Sequence, residues 1–195
     1  KIYGASVSSL CGLWSIFDTY RKRDFLQFEF IKMIRYCPIK YKEDVWEEFI
    51  YYVYHAYPSG TGWQVDEIFR AYCGVYGSPS IDYFGTIFIA FEFKGEIYEW
   101  HDGNITNISN SVGTSRALQI EKHVIVWAES VATNTEIVYR FYNGTSWSTP
   151  VNISNTSTNS DYPQLAVVDN SPEFYTIWQE GNTSPYELRL FGTSF

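Results

Sequence analysis

Hydrophobic residues recur at helical spacing through the first part of the chain. In DFLQFEFIKMIRYC, residues 24–37, apolar side chains return every third position, with Asp24 placed as an N-cap and Pro38 just past the end. A second stripe runs through KEDVWEEFIYYVYHAY, residues 42–57, and Pro58 follows it. Shorter helices are expected around residues 8–20 and 64–73. The pattern therefore predicts a small helical bundle over residues 1–77.

Beyond Pro79 the pattern changes to alternation, in short runs rich in β-branched and aromatic residues. Gly, Asn, Asp and Ser-Pro turns separate the runs, which are TIFIAFEF, EIYEW, HVIVWAES, EIVYRFY, QLAVVD, FYTIWQE and YELRLF. They predict an all-antiparallel β domain over residues 78–195. The whole chain is then expected to be an α+β protein, a helical bundle followed by a partial propeller or a sandwich.

The strand segments repeat. IFIAFEFKGEIYEWHDGNITNIS aligns with VIVWAESVATNTEIVYRFYNGTSWSTPVNIS, which pairs Glu96 with Glu136 and the NIS at residues 107–109 with the NIS at residues 152–154. A third, incomplete copy begins at FYTIWQE. The spacing is that of a four-stranded propeller blade. Asn143-Gly144 is expected to supply the positive φ angles of a two-residue hairpin turn.

These residues suggest a family. The segments VIVWAE, EIVYRFYNGTSWSTPVNISN, YPQLAVVD and FYTIWQE, between about residues 87 and 191, resemble the blade repeat of sialidase-like β-propellers. The Asp of that family's Asp-box turn is replaced here by Asn143, and the Ser before it is absent. The resemblance implies a propeller fold, and a sialidase-like hydrolase would need an arginine cluster, an activated tyrosine and acidic partners.

The β half offers few candidates for such chemistry. Its arginines are Arg116, Arg140 and Arg189, of which the last two lie in corresponding strands and are expected to share a packing role. His101 and His123 come with no nucleophile motif, and no phosphate loop or zinc motif is present. We therefore expect no catalytic residues, no metal site, no cofactor and no enzymatic activity.

Roughly two and a half repeat units are too few to close a propeller ring. A compact sandwich, a partial propeller covered by the helical bundle, and a ring closed by several copies of the chain remain open. Free sheet edges favour oligomerisation. Tyrosines of residues 42–57 would surround their predicted helix and are expected to contribute to an interface with another chain or to an aromatic core: Tyr51, Tyr52, Tyr54 and Tyr57.

Charge is distributed unevenly along the chain, whose formal net charge is -8. Acidic and basic residues balance up to Pro79, and all of the negative excess lies beyond it. An acidic β half argues against nucleic-acid binding, and the apolar runs are too short for a membrane span. Cys11, Cys37 and Cys73 match no zinc or redox spacing, and their disulfide state stays open.

All asparagines also lie beyond Pro79, and six of them begin an N-x-S/T sequon. Asn, Ser and Thr are common turn residues, so these matches either reflect turns or mark glycosylation of an outward domain. The six positions are Asn104, Asn107, Asn143, Asn152, Asn155 and Asn182.

The surface chemistry agrees with an exterior setting. Lysine is scarce in the β half, whose polar groups are mainly hydroxyls and amides rather than ion pairs. Such a surface loses little folding stability when carboxylates are protonated in acid. With abundant Ile, Tyr and Asn, the composition is weakly similar to that of virion and surface proteins of hyperthermophilic archaea and their viruses.

The sequence thus predicts a non-enzymatic structural protein of an extracellular assembly, such as a tail or connector protein in the virion of an archaeal virus. Its expected partners are further copies of the chain and other structural proteins of the assembly. Two alternatives remain. One is a glycan-binding module for a host surface that uses the rings of Trp100 and Trp147, and the other is a degenerate sialidase-like hydrolase.

Overall fold

The computed structural model describes residues 30–36, 50–72 and 79–194, which form four antiparallel sheets. The first sheet holds β1 (Phe30–Tyr36), β2 (Ile50–Ser59) and β3 (Gly62–Tyr72). The second holds β4 (Ser80–Phe84), β5 (Thr86–Phe93), β6 (Glu96–His101) and β7 (Asn104–Asn107). The third holds β8 (Ser115–Glu121), β9 (Val124–Val131), β10 (Asn134–Phe141) and β11 (Val151–Asn152). The fourth holds β12 (Ser160–Val167), β13 (Glu173–Glu180) and β14 (Glu187–Ser194).

The predicted α+β class is wrong for the described residues, none of which is helical. Three of the four expected helices overlap strands β1, β2 and β3. In β2, Val53 and His55 are buried whereas Tyr52 and Tyr54 are half-buried on the opposite face, which is the period of two of a strand. Pro58, read as a helix end, instead lies beside a hairpin turn with φ +59° at Gly60.

The remaining predictions for the first half lie outside the described residues. They are the helix around residues 8–20, the domain boundary after residue 77 and the three cysteines, Cys11, Cys37 and Cys73.

Each sheet is a meander in which neighbouring strands follow one another along the chain, and consecutive sheets pack face to face. Side chains from both partners fill each interface. Val53 of the first sheet contacts Phe91 of the second, Ile97 of the second lies in one cluster with Trp127 of the third, and Ile137 of the third packs with Trp178 of the fourth. The leading strands β4, β8 and β12 are neighbours.

The repeat predicted from the sequence has the same hydrogen bonds in successive sheets. In the second sheet Ser109 Oγ donates to the Glu96 carboxylate and accepts the Ile97 N–H at 2.9 Å. In the third, Ser154 Oγ donates to Glu136 and accepts the N–H of the following Ile137 at 2.8 Å. We call each Glu–Ser pair a clamp, because it ties the loop after the sheet's last strand to its third strand.

The loop after β10 differs from the expected two-residue hairpin. Positive φ occurs at Gly144 but not at Asn143, whose Oδ1 instead accepts the backbone N–H groups of Thr145 and Ser146, both at 2.9 Å. This Asx-type turn opens a longer loop. The two-residue turn with two positive φ values lies in the previous repeat, at Asp102-Gly103.

Candidate functional site: the open face of the fourth sheet

One face of the fourth sheet carries large apolar side chains that are exposed. The strand register places Ile177 opposite Leu190, and Tyr175 opposite Gly192. Leu188 is 79% exposed, Leu190 68%, Ile177 43% and Tyr175 42%. A contiguous apolar patch of this kind is typical of an interaction site rather than of ordinary surface. We call these four residues the open face.

Three of these four repeat positions are buried in the third sheet, and the fourth, at Tyr139, is half-buried. Glu136-Ile137 corresponds to Glu187-Leu188, because Ile137 pairs with Ala128 as Leu188 pairs with Gln179. Ile137 is fully buried under the fourth sheet, in a cluster with Trp178. The open face is therefore the surface onto which a further sheet of the same kind would pack.

The first sheet also has an outward aromatic face. Tyr52 and Tyr54 stack with ring centroids 5.6 Å apart, on the side of β2 opposite to Val53. The Arg70 guanidinium lies 6.0 Å from the Tyr52 ring centre and pairs with Glu67 at 3.2 Å. We call this surface the leading face.

The four tyrosines predicted as an interface are thus not equivalent. Tyr52 and Tyr54 lie on the leading face, whereas Tyr57 is on the other side of β2 and donates to Asp66 Oδ2 at 3.0 Å. The side chain of Tyr51 lies outside the described part. Their role in an interface stays a prediction.

A second feature is a cleft of about 370 Å³ lined by side chains from the second, third and fourth sheets. The carboxyl group of Glu92 in β5 accepts the backbone N–H of Ala117 in β8 at 2.5 Å. Burial raises the pKa of Glu92 to about 7, although the backbone N–H groups of Ala117 and Leu118 oppose the shift. Arg116 pairs with Asp161 at 2.5 Å across the third and fourth sheets.

The two tryptophans predicted to stack on glycans are both half-buried in sheet interfaces. Trp147 packs on the cluster between the second and third sheets, 5.5 Å from the Tyr142 ring, and Trp100 lies 6.2 Å from the His55 ring. Burial raises the pKa of Glu99 to about 7, and a hydrogen bond from Trp147 opposes that shift. A glycan-stacking role for Trp100 and Trp147 stays a prediction.

The sequons lie in turns and at strand ends. All six asparagines are exposed except Asn107, which is half-buried. The side-chain oxygens of Asn107 and Asn152 accept the N–H of the third residue onward, at 2.9 and 3.0 Å, and the serines of these two sequons belong to the clamps. Asn182 Oδ1 accepts the Asn159 N–H at 3.0 Å. These contacts explain why such residues recur, while glycosylation stays a prediction.

The arginines of the β half have separate partners. Arg140 donates to the carbonyl oxygens of Ser148 and, at 2.5 Å, Ile108, whereas Arg189 pairs with Glu187 at 2.7 Å. Arg140 and Arg189 therefore do not share the packing role expected for them. No group of His, Cys, Asp and Glu suited to a metal occurs in the described ranges.

His101 and His123 also lie in sheet packing rather than beside a nucleophile. His101 stacks on Phe88 at 4.2 Å, and burial lowers the pKa of His123. Within the part of the chain that the structure describes, no helix is long and apolar enough to cross a membrane.

Comparison with known proteins places the fold. The sequence matches no family model and no curated protein. The β-propeller domain of the Trilobed protease from Pyrococcus furiosus, described as having an open velcro topology, is similar with a TM-score of 0.53 and 12% identity, over 91% of this chain and 53% of that one. The WD40 domain of SCAP from fission yeast has a TM-score of 0.40 and 10% identity, over 90% and 55%.

The chain thus spans about half the length of both structures, and its four sheets form a partial β-propeller-like fold. The expected propeller-like repeat is confirmed at this level. Sequence reasoning anticipated uncovered edges but did not locate the open face. A signal was available, since Leu188 is apolar at the repeat position that the buried Ile97 and Ile137 occupy in the second and third sheets.

Proposed function

We propose that this protein is a non-enzymatic assembly module, an open partial propeller whose terminal sheets bind one another between copies. The observation that carries the proposal is the open face, where Leu188 lies exposed at the repeat position that is buried at Ile137 in the third sheet, with Leu190 exposed beside it. Burying a leucine side chain contributes about 1.5–3 kcal/mol, so covering the open face favours association.

A second copy is the occupant that fits best. The open face is of the kind that packs onto a following sheet, and the leading face of the first sheet is of the kind that packs onto a preceding one. Joining them continues the same stacking head to tail. The four residues of the open face are uncharged, and on the leading face Arg70 and Glu67 pair with each other.

The sheet count supports the same partner. Each chain has four described sheets, and two copies joined at both ends would hold eight, within the range of roughly four to eight blades known for closed propellers. A head-to-tail contact that closes on itself gives a finite ring.

The test is the native mass of purified 195-residue protein, measured by light scattering at micromolar concentration. We expect a dimer or larger ring that the double variant Leu188→Glu/Leu190→Glu converts to folded monomer. Introducing two buried charges should weaken association by at least about a hundredfold.

Val112→Glu is the matched control, because Val112 is fully exposed in the loop between the second and third sheets, away from both terminal faces. It should leave the oligomer intact. A monomeric wild-type protein, or an oligomer that both variants leave unchanged, would refute the proposal.

The setting of this assembly is also a proposal. An exterior location, with the β domain glycosylated and the assembly part of a virion of an archaeal virus, rests on composition and on the six sequons. The resemblance to sialidase-like blades supports the repeat unit. Intact mass of protein from its natural source, before and after deglycosylation, tests the modification; equal masses would contradict it.

A further inference from the structure

The cleft formed by the second, third and fourth sheets contains none of the four open-face residues in its lining. Polar, planar side chains form much of its wall, and a single large aromatic ring, that of Tyr162, stands at its side. Tyr162 is 62% exposed, whereas Glu92 in the same cleft is buried. At about 370 Å³ the cleft lies at the lower end of the volumes typical of small-molecule sites.

The backbone holds Tyr162 in place through a local distortion. β12 has a bulge between Asp161 and Gln164, and Tyr162 adopts φ +55°. A bulky residue in this region is strained by about 1–3 kcal/mol, and such strain occurs preferentially at ligand sites. β8 has a corresponding bulge, but Ala117 with φ +55° occupies it, so only the fourth sheet presents a ring there.

Polar groups converge on the same space. Beyond its bond to Asp161 at 2.5 Å and a contact with Thr135 Oγ1 at 3.4 Å, Arg116 retains guanidinium N–H groups, and it is 42% exposed. Gln164 is exposed, and its Nε2 donates to the neighbouring carbonyl of Pro163 at 3.0 Å. The cleft therefore offers both donors and acceptors beside one ring face.

The charge balance selects a class of ligand. Asp161 neutralises Arg116, so an anionic ligand gains no uncompensated cation, and Glu92 is held partly protonated by burial. The lining combines the polar groups of Glu92, Arg116 and Gln164 with apolar side chains, those of Ala117, Leu118 and Pro163, and therefore suits a ligand that presents both hydroxyl groups and an apolar face. A hydroxyl-rich, uncharged molecule with one flat apolar face satisfies these groups.

We propose that this cleft binds a neutral saccharide, which stacks on the Tyr162 ring and hydrogen-bonds to Arg116, Gln164 and Glu92. The site differs from the Trp100 and Trp147 rings suggested by the sequence. None of the four open-face residues lines the cleft, although Gln164 lies next to the open face as the cross-strand partner of Ile177.

The test is an NMR titration of the full chain with maltotriose and chitotriose as neutral probes and sialyllactose as an acidic one. We expect saturable shifts with a neutral trisaccharide, with a dissociation constant on the order of 1 mM, and about tenfold weaker binding by Tyr162→Ala. Tyr186→Ala is the matched control, because Tyr186 is also exposed but lies outside the cleft.

Tyr162→Asn serves if the alanine variant does not fold, because asparagine accepts a positive φ while removing the ring. The proposal fails if neither neutral trisaccharide binds, if only sialyllactose binds, or if the Tyr162 variants bind as tightly as Tyr186→Ala. Repeating the titration on Leu188→Glu/Leu190→Glu separates it from assembly, because a monomer should bind the sugar unchanged.

Discussion

The third and fourth sheets are built from the same repeat, yet one is enclosed and the other is not. Ile137 and Leu188 occupy one repeat position, and Ile137 is fully buried while Leu188 is 79% exposed. Both sheets carry a buried tryptophan whose indole N–H donates to the glutamate two residues on, at 2.9 Å from Trp127 and 3.2 Å from Trp178. The strands themselves are thus equally well formed.

The difference teaches that in this fold the burial of a sheet's apolar face depends on whether a neighbouring sheet packs on it. An apolar residue of the repeat contributes stability only where the next sheet covers it, as in repeat proteins whose energetics depend on nearest-neighbour interfaces. The fourth sheet keeps the apolar residues, and none of the described residues covers its open face. This separation between folding and association can be tested position by position.

Alanine substitution at the repeat position shared by Ile137 and Leu188 should give the largest difference in the free energy of unfolding. Ile137→Ala removes buried methyl groups next to Trp178 and should lower the free energy of unfolding by about 2–5 kcal/mol. Leu188→Ala should change it by less than about 0.5 kcal/mol at concentrations where the chain is monomeric. Urea unfolding in dilute solution measures both, and equal losses would mean that the open face is covered within one chain.

The second to fourth sheets could be predicted from sequence because alternation, turn residues and the repeat agree there. The runs TIFIAFEF and HVIVWAES correspond to β5 and β9, and the aligned glutamates Glu96 and Glu136 form equivalent clamps. The turn at Asn143 was predicted less well, since a side chain that accepts two backbone N–H groups replaced a second positive φ.

The first sheet was missed for a physical reason. Nearly every residue from Ile50 to Tyr57 is apolar or aromatic, so a helical stripe and a strand alternation fit the segment equally well. Its many Tyr, Val and Ile residues favour a strand, and this propensity was the signal to weigh. Burial of Val53 against the second sheet then decides the outcome.

The two candidate sites could not be read from sequence. Exposure of Leu188 depends on what packs on its sheet, and the cleft joins residues far apart along the chain, such as Glu92 and Tyr162. Both are tertiary properties. The positive φ of Tyr162, two residues before the predicted strand QLAVVD, likewise had no local signal.

A carboxyl group at an enclosed position extends the comparison to pH. By the repeat, Glu92 corresponds to Ala128 in the third sheet and to Gln179 in the fourth. Burial raises its folded-state pKa from 4.5 to about 7, so the unfolded chain releases this proton first as pH increases. The stability due to Glu92 is therefore complete below about pH 4.5 and is lost as pH rises through 7.

Glu92→Gln should remove this dependence, because glutamine keeps an acceptor for the Ala117 N–H without the charge. We expect the variant to be more stable than wild type by about 2 kcal/mol at pH 8 and nearly equal at pH 5. Thermal unfolding across that range measures the difference. Glu173→Gln, at an exposed strand end, is the control and should leave the dependence of stability on pH unchanged. If wild-type stability rises with pH over this range, and Glu92→Gln shows the same dependence as wild type, burial does not raise the pKa of Glu92.

The smallest expected effect is at Ser154, which belongs both to a clamp and to an N-x-S/T sequon, so its role in stability must be separated from its role in glycosylation. Glu187 of the fourth sheet pairs with Arg189, whereas Glu136 of the third is held by Ser154. Ser154→Ala removes one hydrogen-bond donor to the Glu136 carboxylate and should lower the free energy of unfolding of the unglycosylated protein by about 1 kcal/mol. Thr145→Ala also deletes a sequon but keeps the backbone N–H bond to Asn143, so it should change the free energy of unfolding very little. Chemical denaturation of both variants resolves the two roles. Equal stabilities would imply that the repeated serine is retained for its sequon and that the clamp contributes little to holding the third sheet's last loop.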